Sequence, residues 1–181
     1  NNLIEVLLMK LVGLVFLLTL AFTISGAAQT PEIVALKKAE MKKVEKFVGT
    51  WKGTGWRQIG PQRENVTGTE IVQMKLDGTA LLIEGRFVDG AGNVKHETLA
   101  IMSYDEVLKA HRFRSHLANG TTGEFDLKVN ADSFEWGFPT QAGTVRFAIR
   151  LENDTWFEVG EFSRDGKTWV KMLEMTLKRD K

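Results

Sequence analysis

The stretch VQMKLDGTALLI, Val72 to Ile83, decides the fold. Asp77-Gly78 is a turn dipeptide, and apolar residues fall at every second position on both sides of it. A two-residue turn pairs Leu76 with Thr79, which sets Met74 opposite Leu81 and Val72 opposite Ile83. One face of this hairpin is oily and the other wet, a period of two that no helix satisfies.

The same period runs on in both directions. Turn chemistry at Asp77-Gly78, Asp89 to Asn93, Ala118 to Gly120, Asn130 to Ser133, Pro139 to Gly143, Asn153-Asp154 and Arg164 to Lys167 cuts the chain after Thr50 into about ten strands. They are expected near 49–58, 66–76, 79–88, 94–104, 111–117, 121–129, 133–138, 144–151, 155–163 and 168–178. Carrying the register forward sets Ile83 opposite Leu99 and Leu81 opposite Ile101, then Phe113 opposite Phe125. Trp136 meets Phe147, Leu151 meets Trp156 and Phe162 meets Trp169. A single apolar face results. With no helices to cover a flat sheet, ten sequential antiparallel strands are best closed into an up-and-down barrel, which also removes the exposed edges. A two-sheet sandwich is the alternative, but it needs crossovers where this chain has only neighbour-to-neighbour hairpins.

Ahead of the strands, Pro31 to Phe47 reads as a short amphipathic helix with a lysine-rich back, its apolar positions at Val34, Met41, Val44 and Val48. It is expected to pack on the domain. In the run FVGTWKGTGW, Phe47 to Trp56, Trp51, Gly53 and Gly55 share one face. A large ring followed by two positions without side chains suits a strand that bends sharply at a barrel floor.

These residues also carry a resemblance. VGTWKGTGW, Val48 to Trp56, resembles the G-x-W opening of lipocalins and fatty-acid-binding proteins, the calycin group. The chain as a whole is similar to a bacterial lipocalin-like family, domain of unknown function 1579. The likeness rests on LKKAEMKKVEKFVGTWKGTGW, Leu36 to Trp56, and on GEFSRDGKTWVKMLEMTLKR, Gly160 to Arg179. It implies a calycin-like barrel in which Arg179 covers Trp51, as a last-strand arginine does in lipocalins.

The N-terminal residues belong to another reading. From Met9 the chain shows one lysine at Lys10, an uncharged run from Leu11 to Ile24, and small residues from Ser25 to Ala28. This pattern describes a cleavable secretory signal, too short in its apolar part to span a bilayer. The expected organisation is 1–28 as upstream residues plus signal, 29–48 as the amphipathic helix and 49–181 as the barrel, with the protein secreted or periplasmic and not stably inserted in a membrane. The chain lacks cysteine, so disulfides, thiol nucleophiles and cysteine-ligated metals are excluded. A net charge of +1 gives no footprint for nucleic acid.

Residues that break the inward apolar pattern point to the site. Arg57, Glu70, Glu97, Ser103, Ser115, Glu158 and Lys171 fall among inward rings such as Phe113, Trp136 and Phe147. Ionisable groups in a dry interior are costly, so these either bond to one another or meet water and ligand. By the Phe162–Trp169 register, Glu158 and Lys171 are diagonal neighbours able to pair. Glu70 and Glu97 are the candidates for an acid–base pair. His96 is expected to point outward, and His111 and His116 to opposite faces, which gives neither a zinc site nor a histidine-based triad. Haem-binding barrels of the nitrobindin type require an axial histidine, and none follows His116, so no cofactor is expected. The function expected is binding of a small apolar or amphipathic molecule without chemistry. A hydrolase or isomerase using lumen carboxylates and a solid-core interaction module are the alternatives.

Overall fold

The turn at Asp77-Gly78 is wider than two residues. The strands close at Lys75 and Ala80, leaving a loop in which Leu76, Asp77 and Gly78 all take positive φ, at 50°, 54° and 87°. One residue is added on each side, so the parity is kept. Met74 faces Leu81 and Val72 faces Ile83, as the alternation required.

The computed structural model describes residues 30–180. The expected signal segment and its cleavage after Ala28 lie outside them. Helix α1, Pro31–Lys42, leads through a 3-10 turn at Glu45–Phe47 into ten strands. These are β1 Gly49–Ile59, β2 Gln62–Lys75, β3 Ala80–Val88, β4 Val94–Asp105, β5 Ala110–Leu117, β6 Thr122–Val129, β7 Ser133–Thr140, β8 Gly143–Glu152, β9 Thr155–Ser163 and β10 Val170–Arg179. Each pairs antiparallel with its neighbours in sequence, and β1 pairs with β10 to close the barrel. The protein is thus an all-β, ten-stranded up-and-down barrel of the lipocalin-like kind. Among the described residues, no helix is long and apolar enough to cross a membrane.

Two bulges interrupt the ladder, and the first reverses the expected faces of β4. Between Phe87↔His96 and Val88↔Val94, Lys95 is an extra residue on β4. One inserted residue turns every later side chain over. Ile83 therefore faces Ala100 and Leu81 faces Met102, whereas Leu99 and Ile101 lie exposed outside. On β10, Met172 is extra between Lys171↔Glu161 and Leu173↔Gly160. Phe162 meets Val170 instead of Trp169, whose ring lies under the Arg146 guanidinium.

Helix α1 closes one end of the barrel. Its Met41 and the following Val44 and Phe47 are buried against Trp51, Phe134 and Trp156, with the Phe47 ring edge-on to both of the latter. Ion pairs tie the helical segment to three turns at this end: Lys37 to Glu106 at 2.7 Å, Lys38 to Asp77, and Lys46 to Asp132. Each exposed pair contributes little alone. Apolar burial holds the helix and the pairs set its direction. Trp51 is fully buried, donates Nε1–H to the Phe47 carbonyl at 2.8 Å, and carries Arg179 over its ring at 4.1 Å. The same guanidinium donates to the carbonyls of Val48 and Lys46 and to Asp154. Trp51 and Arg179 thus form a floor, as the resemblance implied.

Candidate functional site

Beyond the Trp51 floor the tube is not filled. The inward glycine of β1, Gly53, serves the seam between β1 and β10. A Cβ there would lie 2.1 Å from the Thr176 carbonyl oxygen, so β1 and β10 can approach only because none is present. The space left is a cavity of about 510 Å³ to which all ten strands contribute. It reaches Gln58 near the end of β1 and Thr121 in the β5–β6 loop, the end away from α1. Its volume lies in the range that accepts a small organic molecule.

The wall is largely aromatic. Trp136 and Phe147 stack at 4.9 Å, Phe113 packs on Trp136 at 5.2 Å, and Phe125 on Phe138 at 5.2 Å. Into this surface project two carboxyls, Glu70 from β2 and Glu158 from β9, each less than a tenth exposed. The Glu70 carboxyl occupies the space opposite Gly85, where a Cβ would lie 2.5 Å and 2.8 Å from its two oxygens. Glu70 Oε2 is buried and receives no hydrogen bond from the described residues. Glu158 Oε2 accepts a hydrogen bond from Trp156 Nε1 at 3.3 Å. Burial pushes the Glu158 carboxyl up to about 7, against the pull of the Trp156 N–H. Burial raises Glu70 well above the usual carboxylate range, and the neighbouring Glu158 charge adds to it. Near neutral pH this pair therefore retains protons that exposed carboxylates would have lost.

Arg57 lies at the cavity edge but its guanidinium is engaged. Its Nε donates to Glu64 Oε2 at 2.8 Å and its Nη1 to the Lys95 carbonyl at 2.7 Å. Lys95 in turn pairs with Glu64 at 2.9 Å and Asp89 at 3.1 Å, a rim network of balanced charge. Burial, and then the Arg57 charge, hold His96 below its ordinary value.

Of the sequence-predicted residues, Arg57, Glu70, Phe113, Ser115, Trp136, Phe147 and Glu158 line this one cavity. Three do not. The Lys95 bulge places Glu97 outside, opposite Arg86 and 3.8 Å from its Nε, and gives Ser103 the same outward parity. The Glu70–Glu97 pair therefore does not exist. Lys171 lies outside because Phe162 pairs with Val170 rather than Trp169, the Met172 bulge returning only Leu173 and later residues to the inward parity; it pairs with Glu174 and does not reach Glu158. The same insertion at Lys95 turns His96 and Thr98 inward into the cavity wall, against expectation. A signal for this lay in the β4–β5 turn. Pairing Asp105 with Ala110 sets Phe113 opposite Met102, which requires Met102 and Ala100 to face inward. His111 does face the interior and His116 the solvent; His111 Nε2 lies 3.2 Å from the Glu40 carbonyl oxygen, under α1. Among the described residues no cluster of three or more histidine or carboxylate side chains could hold a metal.

Fold and site together define a class, the lipocalin-like barrels that enclose a cavity. No family model matches the chain, and no curated protein is similar to it in sequence. Among solved structures it is similar to the crystal structure of Rv2717c from M. tuberculosis, with a TM-score of 0.58 and 12% identity over 78% of this chain and 97% of that one. It is also similar to the S-type phycobiliprotein lyase CPES from Guillardia theta, with a TM-score of 0.50 and 17% identity over 80% of this chain and 97% of that one. At such identities the likeness is one of fold.

Proposed function

We propose that this protein binds a small amphipathic molecule inside the barrel, outside the cytoplasm, without transforming it. The observation that carries this is Glu70 Oε2, a buried polar atom without a partner among the described residues, in the wall of an aromatic cavity. A solid-core module has no reason to hold a costly unpaired carboxyl beside empty space, whereas a receptor for a polar ligand end does. The secretory pattern from Met9 to Ala28 supports a secreted or periplasmic location, and a mature N-terminus at Gln29 tests it. Membership of the lipocalin-like family named above belongs to the same proposal.

Native mass spectrometry of the purified chain, with Trp fluorescence across a panel of lipids and aromatic compounds, tests the binding. A retained molecule or a saturable change at Trp136 and Trp156 is expected. Ser115→Trp, which fills the cavity, abolishes it while leaving the circular dichroism unchanged. An empty protein that responds to no compound refutes the reading.

One specific observation favours a second reading. Glu70 and Glu158 supply a protonated and an ionisable carboxyl in one cavity, the pairing that acid–base chemistry in a hydrolase or isomerase uses. Turnover of a bound compound that Glu158→Gln stops would establish it.

A further inference from the structure

Charge in the cavity wall is unbalanced in one direction. Its charged and titratable side chains are Arg57 on β1, Glu70 on β2, His96 on β4 and Glu158 on β9; β3, β5 to β8 and β10 contribute uncharged residues. Arg57 is committed to Glu64 and the Lys95 carbonyl at the rim, and burial keeps His96 from carrying charge at neutral pH. The two carboxyls have no cationic partner among the described residues. The same cavity wall carries Trp136, Phe147, Phe113 and Phe87, aromatic rings of the kind whose π clouds attract positive charge.

We infer that the cavity takes an amphipathic cation, the ammonium end of an aromatic or apolar amine meeting Glu70 and Glu158 while its ring lies against Trp136 and Phe147. This rests on the binding reading above and names the ligand class within it. The ammonium N–H groups supply the donors that Glu70 Oε2 lacks. Its charge compensates the pair, which in the empty barrel is neutralised only by protons. On binding, the ammonium keeps its own protons and the carboxyl pair releases one to solvent, so charge and protons balance. A ligand carboxylate would add a third negative group to the same space. A neutral alcohol or ketone would accept a hydrogen bond from a protonated carboxyl and would bind better as the pH falls, the opposite sign.

Three probes of one shape separate these cases: 1-naphthylmethylamine, 1-naphthalenemethanol and 1-naphthoic acid. Titration calorimetry of the full chain at pH 6 and pH 8, in two buffers of different ionisation enthalpy, reads affinity and proton release together. The amine is expected to bind at least about tenfold tighter than the alcohol at pH 8. It should release protons at pH 6. In the double variant Glu70→Gln/Glu158→Gln that preference disappears while the alcohol still binds, which also shows that the barrel is folded. Equal affinity for amine and alcohol, tightest binding of the naphthoate, or a preference for the amine that survives the double variant overturns the inference and leaves the binding reading standing. If none of the three binds and the compound panel is also silent, both fall.

Discussion

Replacing Glu158 by Gln should stabilise this protein at high pH, the reverse of what removing a buried charged group from an ion pair does. The reason is the sign of the linkage. A carboxyl whose folded pKa lies above its unfolded value binds more protons in the folded state, so its contribution is fully present below the unfolded value and is lost as the pH rises through the folded one. For Glu158 that interval runs from 4.5 to about 7. At about 1.4 kcal/mol per pH unit, the fold loses about 3 kcal/mol to this one group between those limits. Gln keeps an oxygen to accept the Trp156 N–H, so little else changes. Removing the Glu158 charge also relieves Glu70, part of whose elevation comes from it. Two other sets of groups titrate differently. Asp89 and Asp165 lie below their ordinary values through hydrogen bonds from neighbouring residues, and their contributions are lost only in more acid solution. His96 and His111 are lowered by burial, so their contributions fall as the pH drops below the usual imidazole range, opposite in sign to Glu158. Comparing variant with parent at each pH subtracts all four. Urea unfolding from pH 4.5 to 8, followed by Trp fluorescence, should show the two stabilities nearly equal at pH 4.5 and the variant about 3 kcal/mol ahead at pH 8. Parallel curves, or a variant less stable at pH 8, refute the assignment of Glu158 as a buried, protonated carboxyl.

The remaining predictions concern the frame of the barrel. Arg179→Ala removes the cation over Trp51 and the donors to Val48 and Lys46, and should cost about 2 kcal/mol; a loss under about 0.5 kcal/mol by equilibrium unfolding would show the floor to be ornamental. Gly53→Ala drives a Cβ into the Thr176 carbonyl and the Leu177 Cα at the β1–β10 seam and should cost about 3 kcal/mol. Gly90→Ala, with open space around it, should stay within about 0.5 kcal/mol, and similar values for the two would remove the close-approach explanation. Met41→Ala leaves a hole beneath α1 and should cost about 3 kcal/mol in the same assay, since Met41 is wholly buried. If it is neutral, the helix does not contribute to the core.

Strand number, strand order and closure were legible because they depend on local chemistry repeated along the chain. Turn residues punctuate a period of two, and every pairing is between sequence neighbours apart from the β1–β10 seam. Where one turn was read too tight, at Asp77-Gly78, parity survived because the loop widened symmetrically. The Trp51–Arg179 floor was legible through the resemblance, since a ring followed by glycines and an arginine on the last strand mark it.

What escaped the sequence is parity where an extra residue enters one strand. Leu99, Ala100, Ile101 and Met102 are all apolar, so either phase of β4 has an oily side, and alternation alone cannot choose. The Lys95 bulge chose, sending Glu97 and Ser103 out and His96 in; on β10 the pairing of Phe162 with Val170, ahead of the Met172 bulge, sent Lys171 out. The coupling of Glu70 with Glu158 belongs to the same category. β2 and β9 are not neighbours in the barrel, and only closure brings their carboxyls into one cavity. Sequence by itself determined a barrel, because hydrophobic period and turns are properties of a few consecutive residues. Tertiary structure decided which polar groups share its interior, because a one-residue insertion inverts a strand and ring closure joins strands that no local rule connects.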